Sequence, residues 1–182
     1  NRKSKYPHPS DLVERDGVHF LTGKTAPFSG QIEFTHEEEI TLEHLHDPRV
    51  MLVNFRMEFL HGKLNGTTIE TLEDGTAFRR YTHRDGVREG PYYKYSVDGV
   101  LEHEANYKDN QLHGLWRSFF VLGGDSAIHE EGSYKNGEKN GIWKRYSLNG
   151  VVASFGQYKE GEKCGQWEYF DDETGSKTRI EI

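Results

Sequence analysis

Ten histidines and thirty acidic side chains are the groups in this 182-residue chain best suited to chemistry. The tightest histidine cluster is His44-x-His46-Asp47, and on a strand alternate residues share a face, so two imidazoles there can turn toward one ion. No cysteine completes such a set, since Cys164 is the only one, and no second spaced histidine pair lies nearby. His83, His103, His113 and His129 fall at unrelated positions of the repeat described below. The expectation is that no metal is bound. Carboxylates cluster at Glu37-Glu38-Glu39, Glu130-Glu131 and Asp171-Asp172-Glu173. Acid–base catalysis, however, needs two such groups in one enclosed pocket with separated pKa values. Gly-x-Ser-x-Gly, the P-loop and a Gly-x-Gly-x-x-Gly after an apolar strand are all missing, so nucleophile-elbow and phosphate-cradling chemistries are not indicated. The sequence therefore predicts no catalytic residue and no cofactor, that is, a protein that is not an enzyme.

What the remaining residues must build follows from composition and period. Hydrophobic residues are 34% of the chain, charged residues 29%, and mean hydropathy is −0.86, which is lean for a thick two-layer core. Aromatic residues reach 13% beside 20 glycines, a combination suited to short strands bearing large rings between tight turns. The glycine that precedes each aromatic cluster recurs at Gly66, Gly90, Gly114, Gly141 and Gly165, with spacings of 24, 24, 27 and 24. Four residues before each stands Gly62, Gly86, Asn110, Gly137 or Gly161. Two residues after the later anchors come Tyr92, Trp116, Trp143 and Trp167, and three further on Tyr95, Phe119, Tyr146 and Phe170. A fixed period of this length marks an array of one repeated supersecondary unit.

Each unit reads as a hairpin. Asp74-Gly75, Asp98-Gly99 and Asn149-Gly150 predict type I′ turns at the tips. On the return strand, strict alternation puts Val152, Ser154, Gly156 and Tyr158 on one face, as it does Ile128, Glu130, Gly132 and Tyr134. Ala105, Gly132 and Gly156, two residues before the return-strand tyrosines, leave room for a ring from the neighbouring hairpin. The three extra residues between Gly114 and Gly141 fit at the tip, Val121 to Ser126, and Cys164, just before an anchor, reads as an exposed connector thiol. Residues 1–54 read as degenerate capping repeats with an insertion at 36–49, led by a small hairpin over Val13–Phe20. Residues 55–182 read as one continuous array.

The run Tyr134-Lys135-Asn136-Gly137-Glu138-Lys139-Asn140-Gly141-Ile142-Trp143-Lys144-Arg145-Tyr146 resembles the bacterial variant of the MORN repeat. Asp11 to Val18, followed by Pro27-Phe28-Ser29-Gly30, resembles the opening of the YwqK-family antitoxins. The resemblance implies an all-β fold, an elongated single-layer antiparallel sheet of tandem β-hairpin (MORN-type) repeats, with roles in protein or membrane attachment and no catalytic residue to carry over.

A net charge of −7 repels phosphate backbones and anionic lipid, so nucleic acid is excluded as a partner and a membrane is disfavoured. The expected partner is another protein. A lipid- or envelope-associated scaffold and a carbohydrate or small-ligand groove are the alternatives. The candidate contact residues are Tyr95, Phe119, Tyr146 and Phe170, because rings three residues after the Trp position point to the opposite face of a strand, and exposed aromatic rings are what interfaces favour. The resemblance implies a bacterial protein. Because the chain begins at Asn1 without Met, it is compatible both with the cytoplasm and with export after loss of a leader.

Overall fold

The computed structural model describes residues 5–40 and 49–182. The protein is all-β. Among the described residues fourteen strands belong to one antiparallel sheet that does not close into a barrel, and two more pair with each other apart from it. The chain forms two compact units, Asn1–Arg88 and Glu89–Ile182.

In the first unit a short 3-10 turn, Pro9–Asp11, leads into β1 (Leu12–Arg15) and β2 (Val18–Leu21). These two strands make the small hairpin expected there, turning at Asp16 and Gly17 with φ of 50° and 74°. β3 (Gly30–Ile40) and β4 (Arg49–Leu60) form a long hairpin, followed by β5 (Lys63–Leu64), β6 (Gly66–Leu72) and β7 (Ala77–Arg84), in the order β3-β4-β6-β7 with β5 on β4. The described part of the 36–49 insertion lengthens that hairpin: His36 to Ile40 pairs in unbroken register with Arg49 to Val53. Phe28, Ile32 and Phe59 form one core cluster, with Leu12 and Leu21 of the cap hairpin packed against it. The cap is fastened by backbone. His19 N–H donates to Gly62 O at 2.7 Å, and Gly62 N–H donates to Phe28 O at 2.6 Å.

In the second unit β8 (Val87–Tyr95), which begins just before it, is followed by β9 (Leu101–Lys108), β10 (Gln111–Leu122), β11 (Asp125–Lys135), β12 (Glu138–Lys139), β13 (Gly141–Tyr146), β14 (Val152–Lys159), β15 (Glu162–Phe170) and β16 (Lys177–Glu181). The strands lie in chain order, with the two-residue β12 folded back on β11.

Two expectations about local geometry are corrected. Asp74, Asp98 and Asn149 do not take positive φ, so the Asp-Gly and Asn-Gly tips are not type I′. Instead Ser96 N–H donates to Val100 O and Gly99 N–H to Ser96 O, a three-residue loop in which only the glycine is left-handed. Both-positive pairs occur at the connectors between hairpins, as at Asp85-Gly86, Asn136-Gly137 and Glu160-Gly161. Alternation on the return strands also breaks. Arg145 pairs with Ser154 but Tyr146 with Val152, and Ser118 with Glu130 but Phe119 with Ile128. Ala153 and His129 are therefore bulged, and Val152 and Ile128 turn to the face opposite Ser154 and Glu130. Bulges recur at this level in β8–β9, β6–β7 and β15–β16.

The ring-on-glycine packing is present. A Cβ added at Gly132 would lie 2.2 Å from Trp143 Cδ2, and one at Gly156 2.2 Å from Trp167 Cδ2, so each indole lies flat across the glycine of the strand before it. Trp143 is 1% exposed and its indole N–H donates to Ser133 O at 3.1 Å. Tyr134 and Tyr158 stand edge-on to these indoles, with centroids 5.1–5.8 Å away. In the first unit the sizes are exchanged. Thr68 occupies the Trp position and Tyr81 pairs with it at the glycine position, and the Tyr81 hydroxyl donates to buried Glu70 Oε1 at 2.6 Å.

Candidate functional site

The uncut alternation on the outgoing strands places the four candidate rings. The bulges are on the return strands, so Trp143 and Tyr146, three residues apart on β13, point to opposite faces. Tyr95, Phe119, Tyr146 and Phe170 pair with Leu101, Ile128, Val152 and Lys177 respectively. Together they make a mainly apolar row across the face opposite the indoles. All four rings are half-buried, neither core like Trp143 nor fully wet. Phe170 stacks on Phe155, with centroids 5.8 Å apart and planes at 17°.

Beside that row runs a charged one that the sequence reading did not single out. Cross-strand pairing aligns Tyr93 with Glu104, Glu104 with Arg117, Arg117 with Glu131, Glu131 with Lys144, and Lys144 with Phe155. Arg117 donates to Glu104 at 2.9 Å and to Glu131 at 3.1 Å. Glu131 also accepts from the Tyr146 hydroxyl at 2.7 Å, which holds its carboxyl below the ordinary range, with Arg117 assisting. Burial first, and this hydrogen bond second, push the Tyr146 phenol up to about 12. The bond binds one candidate ring to the charged row and fixes its orientation. The signal for this row was available, since Arg117 and Lys144 both lie three residues after their anchors. It was obscured because Tyr93 and Glu168 occupy the same place in their units.

On the far side of the charged row stand Leu115 and Ile142, 41% and 56% exposed. The face thus alternates from exposed aliphatic side chains to neutralised charge to half-buried rings.

The other face carries the indole row. A cavity of about 230 Å³ is lined by Trp143, Tyr158, Lys163 and Trp167. The Lys139 ammonium stands 3.8 Å from the Trp143 ring centroid and that of Lys163 4.3 Å from the Trp167 centroid. With glycine beneath and lysine above, the indole faces are already covered.

The His44–His46–Asp47 cluster lies outside the described residues. Among the described residues no group of three or more His, Cys, Asp or Glu side chains is placed to hold a metal ion, and no helix is long and apolar enough to cross a membrane. Cys164 is half-buried and free. Compared with models of known families and with curated proteins, the chain matches none.

Proposed function

We propose that this protein is a non-catalytic repeat scaffold that binds another protein through the face of its second unit bearing Tyr95, Phe119, Tyr146 and Phe170. The observation that carries this reading is the row itself: half-exposed rings at one repeat position, opposite an indole row that already serves as core. Aromatic rings are enriched at interface centres, and contiguous apolar patches on proteins mark contacts. The partner class follows from charge, since −7 disfavours nucleic acid and anionic lipid. A carbohydrate groove on the indole face is disfavoured by the lysines that cover the rings. The role we attach to the binding is the masking of an effector protein, an immunity- or antitoxin-type role, to which the resemblance of the N-terminal stretch points.

The test is capture from the source cells with wild-type protein against Phe119→Ser plus Tyr146→Ser, both checked for unchanged folding. A specific protein retained by wild type and lost by the double variant is the expected result; equal retention by both removes the ring row from the site. The masking role is tested separately by co-expressing the captured protein, which should be harmful to the host alone and harmless with this chain.

A further inference from the structure

We propose that the tip of the β10–β11 hairpin is a two-faced apolar finger that inserts into an apolar, basic-rimmed slot of the protein partner; this rests on the protein-binding reading above. The three-residue insertion lengthens the strands of this hairpin and leaves a two-residue loop, Gly123-Gly124, closed by the pair Leu122 and Asp125. β9 pairs with β10 only as far as Ser118, and β13 pairs with β11 only from Glu130. Among the described residues, the rows Phe119–Ile128, Phe120–Ala127, Val121–Ser126 and Leu122–Asp125 therefore carry no strand bonded to either side.

Those unflanked rows have the composition of buried strand. Phe119-Phe120-Val121-Leu122 is a continuous apolar run, so Phe119 and Val121 face one way while Phe120 and Leu122 face the other. Strands apolar on both faces are those covered on both faces. Here Val121 is 37% and Leu122 44% exposed, and a flat partner would cover only one of them. Phe120 is braced by His129, with ring centroids 4.3 Å apart.

Other hairpin tips are built differently. The Ser96 hydroxyl accepts from Asp98 N–H and Val100 N–H at 3.2 and 3.1 Å, and Asp74 and Asp171 close their own turns in the same manner. Those tips satisfy themselves with polar side chains, whereas this one is flanked by aliphatic ones. Charge selects the partner. Residues 119–128 include Asp125 and no Lys or Arg, which complements a cationic rim and is repelled by an anionic bilayer.

The experiment is photo-crosslinking in the source cells with the full chain carrying p-benzoylphenylalanine in place of Val121, of Leu122 or of Tyr95, followed by mass-spectrometric identification of the joined peptides. Val121 and Leu122 are expected to join the same protein, at separate apolar segments flanked by Lys or Arg, and Leu122→Asp should lower capture at Tyr95 about tenfold. Products from only one of the two finger positions, products with lipid or with a second copy of this chain, or pelleting with phosphatidylcholine–phosphatidylglycerol vesicles would overturn the proposal. Capture at Tyr95 with none at the finger sinks the finger and leaves the ring-row function standing. No protein captured at any of the three positions sinks both.

Discussion

The contact that most constrains this fold is an absent side chain. Gly132 and Gly156 are required because an indole occupies the space where a Cβ would go, a close approach that only glycine permits. Trp143→Ala is expected to cost about 3–5 kcal/mol through loss of a buried ring, and Gly132→Ala about 2–3 kcal/mol by forcing that ring aside. Because the two residues share one contact, the costs should not add. In the Trp143→Ala background Gly132→Ala should become nearly neutral, giving a coupling of about 2 kcal/mol in a urea-denaturation cycle. Additive costs would show that the glycine serves backbone geometry alone. In the first unit, Glu70 takes over part of this core role. It is 2% exposed, accepts from Arg79 at 2.8 Å and from Tyr81, and Arg79 also pairs with Glu38. Glu70→Ala leaves the Tyr81 hydroxyl without that acceptor while Arg79 keeps Glu38, and should cost about 1–3 kcal/mol by thermal or denaturant unfolding.

At the scale of the element, the docking of the cap hairpin turns on Gly62. A Cβ there would lie 2.4 Å from Val18 Cγ1 and 2.7 Å from His19 O, at a φ of +77°. Gly62→Ala should therefore release β1 and β2 while leaving the later hairpins intact. The measurement is hydrogen exchange, with His19 N–H losing protection and Trp143 Nε1–H keeping it. Simultaneous loss at both would mean that the cap and the second unit unfold together. This dependence on particular backbone contacts explains what could be read from the sequence. The period, the hairpins, the ring-on-glycine pairing and the small N-terminal hairpin were legible because each repeats or carries its own turn chemistry. The three-residue loops at Asp74-Gly75, Asp98-Gly99 and Asn149-Gly150 were not, since Asp-Gly supports either a two-residue I′ turn or a three-residue loop and only the strand register decides. The return-strand bulges were hidden for a related reason. Ala153 and His129 share no residue type, and a bulge shifts pairing without any demand on its own side chain. The ring row survived this error because it sits on the unbulged strand. In the sequence the apolar finger shows only as surplus length, because the lack of a flanking strand among the described residues is a property of register.

Across the whole molecule the buried and half-buried acids respond to pH in opposite senses. In the second unit Glu131 is held below its ordinary range by the Tyr146 hydroxyl and then by Arg117. Its folded state prefers the ionised form, so this contribution is complete above the unfolded value near 4.5 and is lost as pH falls through the lower folded value. In the first unit burial outweighs the Tyr81 and Arg79 hydrogen bonds and raises Glu70. The folded state there holds the proton more firmly than the unfolded chain, so Glu70 adds stability in acid and loses it as pH rises through its folded value. Acidification from pH 7 to pH 3 is thus expected to weaken the contribution of the Arg117–Glu131–Tyr146 network while lifting the penalty on Glu70. Hydrogen exchange followed residue by residue at the two pH values should show protection falling more at β10, β11 and β13 than at β6 and β7. Glu131→Gln, which keeps an acceptor for Tyr146 but does not titrate, should flatten the acid loss in the second unit and leave the first unchanged. Equal acid loss in both units, or an unaltered acid limb in Glu131→Gln, would place the pH sensitivity in general charge repulsion. Because Tyr146 belongs to both the network and the ring row, partner capture should weaken in acid together with protection of β13, and that loss should be smaller in Glu131→Gln.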